Sequence, residues 1–236
     1  MKTSIVKLSA VISFAATCSA LGQFNVVGYI NRPIGPGQSL VANQLDATPN
    51  NTINSVLLSV AHGATFTKWD PAANVFLPQS VFNLGTHTWS INYTLNLGEG
   101  GLVNSPSLTT NTFVGTVANY TNIVDLGPGG GVWAPNYADG LYLISCPVPV
   151  AGPISSMFAN VIGRTPEPGE WVKVLDENTQ TYITATFNGS AWDNDPSLGV
   201  AHAAWFNLGP VVPEPSSMAL IGVAGLVAWR FRQRRN

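Results

Sequence analysis

The chain has 236 residues; charged side chains make up only 9% of them, while Gly 23 and Pro 17 account for about one residue in six. An ordinary soluble domain carries roughly 25% charge. The formal net charge of −2, without a basic face, excludes a nucleic-acid binder, a coiled coil and a charged disordered tail.

What charge there is lies at the ends. Lys2 and Lys7 open the chain, and Arg230, Arg232, Arg234 and Arg235 crowd its last seven residues. Between Phe24 and Val212 stand only Arg32, Lys68, Arg164 and Lys173 against 11 of the 12 acids, so the body sits near −7. An acidic body between basic ends suits an export cargo.

Residues 1–22 have the layout of a secretory signal peptide: two lysines, a short apolar stretch over 8–16, and the small-residue site Ala20-Leu21-Gly22 ahead of Gln23. That layout implies the Sec translocon and signal peptidase as partners. Cleavage there removes Cys18 and leaves Cys146 alone, so no intramolecular disulfide is expected in the mature chain. Cys146 lies in an apolar run and is expected to be a buried small hydrophobe.

The body matches itself. Residues 39–45 line up with 142–148, Phe66-Thr67-Lys68 with Trp171-Val172-Lys173, Phe82-Asn83 with Phe187-Asn188, Trp89 with Trp192, and Leu102-Val103-Asn104 with Trp205-Phe206-Asn207. Two similar units are therefore expected, a first over 26–118 and a second over 132–210, joined by a Gly-rich linker over 119–131. Their runs of Val, Ile, Thr and aromatics, bounded by Gly, Pro, Asn or Asp, predict strands. Residues 68–76 and 173–182 predict hairpins, and only 51–60 and 153–161 allow a helical turn or two. The fold class is all-β: either two β-sandwich or barrel-like modules in tandem, or one pseudo-symmetric sandwich made by both halves.

The units are also similar to β-rich tandem repeats of secreted bacterial proteins. The similarity rests on the opening strands Leu40-Val41-Ala42-Asn43 and Leu143-Ile144-Ser145-Cys146-Pro147, the hairpin Lys68-Trp69-Asp70 and the closing turn Leu97-Gly98-Glu99-Gly100-Gly101-Leu102. The second unit departs at that turn, with Leu198-Gly199-Val200-Ala201-His202-Ala203. The resemblance implies architecture and no activity.

The last segment, 211–236, has three parts: Pro213-Glu214-Pro215, an apolar stretch within 216–229, and the arginine cluster of 230–236. The 12 apolar residues 218–229 would make a helix about 18 Å long, and neighbouring residues with snorkelling arginines extend it toward a thin or tilted span. The arginines are expected to stay cytoplasmic and the body outside.

This order resembles the PEP-CTERM sorting signal. The resemblance implies that the tail holds an exported protein in the inner membrane of a Gram-negative bacterium. An exosortase then recognises Pro213-Glu214-Pro215 and processes it. It also implies delivery to the cell surface, in company with exopolysaccharide and biofilm machinery.

Chemistry is sparse. His62, His87 and His202 are scattered, with no metal spacing among them, and no nucleophile elbow or phosphate loop occurs. No catalytic residue, metal or cofactor is expected, and the chain is read as a non-catalytic surface or extracellular-matrix protein. Two alternatives stand beside that reading. Exposed aromatics, Trp133 and Trp205 above all, could stack on exopolysaccharide. Paired acids, Asp176 with Glu177 or Asp193 with Asp195, could serve a secreted hydrolase, although such acids also form ordinary turns.

Overall fold

The computed structural model describes residues 27–118 and 137–209. The signal segment 1–22, the linker 119–131, Trp133 and the tail 211–236 lie outside the described residues. The described chain is mostly β. Strands β1 (Val27–Ile34) and β8 (Thr109–Thr116) form an antiparallel ribbon eight pairs long. A first sheet runs β2 (Gly37–Ala42), β7 (Gly100–Ser105), β3 (Thr65–Asp70), β5 (Ser80–Asn83), β6 (Thr88–Trp89), with β4 (Val75–Phe76) also on β3. A second runs β12 (Thr181–Thr186), β11 (Trp171–Asp176), β14 (Ala204–Leu208), β9 (Gly140–Ile144). Strands β10 (Gly152–Pro153) and β13 (Ser197–Leu198) make a short pair.

Among the described residues two helices, α1 (Ile53–Val56) and α2 (Ile154–Ile162), fall where the sequence allowed helical turns. Helix α2 buries Ile154, Met157, Phe158, Val161 and Ile162, the spacing of a single helical face. It stops at Gly163, which takes the left-handed conformation (φ 83°) and donates its amide to the Ala159 carbonyl. Among the described residues no helix is long and apolar enough to cross a membrane.

Three cores result from strand alternation. Val41, Phe66 and Val103 point to a core shared with α1, and Ile144, Val172 and Phe206 to one shared with α2. The opposite faces of the same strands meet in a third core between the sheets, made by Leu40, Ala42, Leu143, Leu175 and Ala203, with Trp69, Leu102 and Trp205 against it. The sheets are thus packed back to back, each with its helix outside.

The sheets also share backbone hydrogen bonds at one corner. The free edge of β2 bridges Val41 to His202, and the free edge of β9 bridges Ile144 to Glu99. Ala42 N–H donates to the Ala201 carbonyl (3.0 Å), and Ser145 N–H to the Gly98 carbonyl (2.9 Å). Strands β2, β7, β9 and β14, with the residues leading into β7 and β14, therefore close a ring. In the described residues the two sheets pack against each other and share these bridges.

Geometry recurs at an offset of 103: Leu40 opposite Leu102 corresponds to Leu143 opposite Trp205, and the two bridges correspond to each other. The strand orders β4-β3-β7-β2 and β12-β11-β14-β9 match. One sequence match needs correction. Phe66 lies opposite Val103 and Val172 opposite Phe206, so Phe66 corresponds to Val172 and not to Trp171. A slip of one residue reverses every side chain. Phe66 and Val172 are fully buried, whereas Trp171 is half-buried with the Lys173 ammonium 4.5 Å from its ring centre.

Packing against Phe66 dictates glycine at 101, because a Cβ there would overlap the buried Phe66 ring. Gly101→Ala is expected to lower unfolding free energy by about 2 kcal/mol. In the double variant with Phe66→Leu the two costs should add to less than their sum. Urea denaturation of the four proteins checks this, and additive costs would show that the ring does not set the residue.

Candidate functional site

The described acids proposed for hydrolysis serve turns and contacts. Asp176 accepts from Asn178 N–H (3.0 Å) and the Thr179 hydroxyl (2.9 Å), and the hydroxyl bond leads in holding its pKa below the usual value. Glu177 pairs with the buried guanidinium of Arg32. Asp193 accepts from Thr186 N–H (2.7 Å), and Asp195 takes the Ser155 amide (2.8 Å) and hydroxyl (2.6 Å) at the start of α2. None of the four lines the cleft described below. Among the described residues no group of three His, Cys, Asp or Glu is placed to hold a metal ion. Cys146 is 1% exposed, and burial pushes its thiol pKa up.

Trp205 is half-buried on β14, with its ring edge-to-face against Trp69 (5.1 Å) and Phe76 (5.7 Å). It belongs to an aromatic cluster at the sheet–sheet seam, and its other proposed partner, Trp133, lies outside the described residues. Next to that cluster, where the β3–β4 hairpin meets β9, is a cleft of about 260 Å³. Lys68 and Trp69 line it from the hairpin, Glu99 from the turn before β7, Gly100 from the start of β7, and Tyr137 and Tyr142 from β9 and its approach. These are the same hairpin and closing-turn segments that carry the resemblance to bacterial repeats.

Each group is fixed by its neighbours. Trp69 donates its indole N–H to the Leu141 carbonyl (2.7 Å). Lys68 donates to Glu99 Oε2 (2.9 Å) and the Thr94 carbonyl (2.7 Å), and the same carboxylate oxygen accepts Asn96 N–H (2.7 Å). Tyr142 donates to the Ala138 carbonyl (3.0 Å) and packs edge-to-face on Tyr137, 4.8 Å between ring centres. Burial, then the Glu99 charge and Tyr142, push the Tyr137 phenol up to about 12, so it stays protonated. The cleft therefore offers aromatic rings beside one ammonium and one carboxylate that neutralise each other. Sequence reading missed Glu99, Tyr137 and Tyr142 as site residues; the departure of the second closing turn, Leu198-Gly199-Val200 against Leu97-Gly98-Glu99, is the signal that could have found the cleft.

The corner 103 residues on is built differently. His202 stands there for Glu99, Val174 for Lys68 and Leu175 for Trp69. Arg32, 4% exposed, reaches Glu177 at the tip of the β11–β12 hairpin, and Gln180 exchanges two bonds with the backbone of Gln38 (2.7 and 3.0 Å). Burial, with the Arg32 charge second, lowers the His202 pKa to about 4. The native state keeps this imidazole neutral, while the unfolded chain protonates it near pH 6.5. Its contribution is present above 6.5 and fades as pH falls toward 4. Stability is expected to drop by about 2–3 kcal/mol across that window, and His202→Gln should flatten the pH dependence between 6.5 and 5. Urea titrations at a series of pH values read this directly; an unchanged slope would place the proton uptake elsewhere.

No curated protein and no solved structure matches this chain. Residues 211–235 match the PEP-CTERM protein-sorting motif, a stretch that contains Pro213-Glu214-Pro215 and all four terminal arginines. The match concerns the tail and not the β-rich body. It implies export, surface sorting and processing by an exosortase: the chain carries a PEP-CTERM sorting signal.

Proposed function

We propose that this is a non-catalytic surface or extracellular-matrix protein, exported through Sec and held in the inner membrane by its C-terminal apolar helix until an exosortase processes the tail. The match at 211–235 carries the reading. The signal-peptide layout of 1–22 supports it, as does the engagement of the candidate acids in turns, an ion pair and a helix start. The body is read as two copies of one ancestral unit, 26–118 and 132–210, fused into a single double sheet. Matching strand orders and ladder registers support that duplication. The last described residue before the tail, Gly209, donates its amide to buried Glu170 (2.9 Å), so the folded body reaches to within four residues of Pro213.

A second reading, polysaccharide binding, is favoured by one observation: the body leaves an aromatic-lined cleft open beside a charged pair. It is compatible with surface delivery and sets no requirement for catalysis.

Pro213→Ala with Pro215→Ala, expressed in the native host, is expected to leave full-length tail on the protein in the inner-membrane fraction. The parent should yield a species beginning near Gln23 and ending near the motif, outside that membrane. Intact-mass analysis of each fraction distinguishes the two. Identical masses and locations for parent and variant would remove the sorting assignment.

A further inference from the structure

We propose that the cleft between the β3–β4 hairpin and β9 binds a single neutral pyranose residue, as the end or a side branch of a polysaccharide. The inference rests on the second reading above and gives it a site different from Trp133 and Trp205.

Three observations carry it. The first is composition. Trp69, Tyr137 and Tyr142 provide aromatic surface for the C–H faces of a sugar ring, and Lys68 and Glu99 provide a donor and an acceptor for its hydroxyls. The second is charge. A cationic ligand would meet Lys68 and an anionic one Glu99, while a neutral polyol bonds to both without losing their ion pair. At about 260 Å³ the cleft falls just below the roughly 300–1,000 Å³ of pockets for drug-sized ligands, which suits one ring.

The third is the contrast with the equivalent corner. There the fold's own Arg32, Glu177 and Gln180 brace the hairpin tip against the neighbouring strands, and the positions of Lys68, Trp69 and Glu99 hold Val174, Leu175 and His202. The architecture can thus brace this corner with its own side chains. At one end it does so; at the other the described residues leave a space walled by aromatic rings and one charge pair, of which Trp69, Tyr142, Lys68 and Glu99 are already held by hydrogen bonds. Anchoring before binding lowers the ordering cost of capturing a ligand.

Saturation-transfer NMR on the protein purified from its host tests this. The probes are the methyl glycosides of glucose, galactose and mannose, N-acetylglucosamine, and choline as a cationic control. Transfer to at least one sugar is expected, at millimolar affinity. It should be lost in Tyr142→Ala, reduced severalfold in Glu99→Gln, and kept in Tyr182→Ala, whose exposed ring lies on β12 outside the cleft. Near-UV circular dichroism checks folding, and Glu99→Gln decides alone where Tyr142→Ala does not fold. No transfer to any sugar, transfer to choline only, signal undiminished in either cleft variant, or equal loss in Tyr182→Ala would overturn the proposal. The tail experiment reads processing and this one reads the body, so each can fail without the other.

Discussion

The structure depends on the mutual closure of β2 and β9. Each is the terminal strand of its own sheet, and an uncovered strand edge presents unpaired N–H and C=O groups that invite association with other chains. Here each edge is satisfied by residues leading into the other sheet, through Val41–His202 and Ile144–Glu99. Gln44, fully buried, completes the seam: its amide donates to the Cys146 carbonyl (3.0 Å) and the Ser145 hydroxyl (3.2 Å), and its oxygen accepts Ala201 N–H (2.7 Å). A polar side chain can occupy that position because its hydrogen-bonding groups are engaged. The approach is close enough that a Cβ on Gly100 would stand 2.6 Å from that of Ala203. Glycine on one side and alanine on the other let the backbones meet.

With so few charges, each ion pair has a definite place. Arg32 and Glu177 join the ribbon to the second sheet, and Lys68 and Glu99 join the first sheet to the turn that covers β9. Arg164 and the buried Glu170 tie the end of β14 to the loop before β11, since Glu170 also accepts Gly209 N–H. Burial works to raise the Glu170 pKa, but Arg164 and the amides of Glu167 and Gly209 outweigh it and leave the carboxylate below its usual range. A buried charge held by four donors strongly penalises loss of its partner. The body therefore ends on a fixed anchor, and whatever acts on the tail works beside a folded domain.

Much of this was legible in residue patterns. β-branched and aromatic runs marked the hairpins at 68–76 and 173–182, and the structure pairs Trp69 with Phe76 and Leu175 with Tyr182 there. The Phe82–Trp89 and Phe187–Trp192 rings meet, tilted, at 5.2 and 5.5 Å, although no pairing was read from the sequence. What failed was fine register. Matching Lys68 to Lys173 satisfied residue identity, yet Lys173 shares an exposed face with Trp171, whereas burial fixes Phe66 against Val172. Trp205 was singled out as an aromatic, but no local pattern shows that Trp69 and Phe76 crowd it across the sheet seam. Tyr142 lay in a stretch read only as strand and Tyr137 ahead of it, and their meeting with Lys68 and Glu99 depends on a contact between the two halves. Such contacts have no local periodicity to reveal them.

That dependence bears on why the two halves differ. The two bridges of the seam recur at an offset of 103, whereas the bonds of Gln44 have no counterpart at Pro147. The third core is nearly symmetric: Leu40 with Leu143, Leu102 with Trp205, Trp69 with Leu175. The differences gather instead at the two hairpin–turn corners. One corner carries an arginine, an acid and a glutamine that brace the halves together, and with them a histidine held neutral by burial. The brace leaves the opposite corner freer to stay open, because the halves are already joined by shared ladders, Gln44 and this clamp. Among the described residues one corner is thus clamped by Arg32, Glu177 and Gln180 and the other lined by Lys68, Trp69 and Glu99, with Glu99 and His202 at corresponding bridge positions.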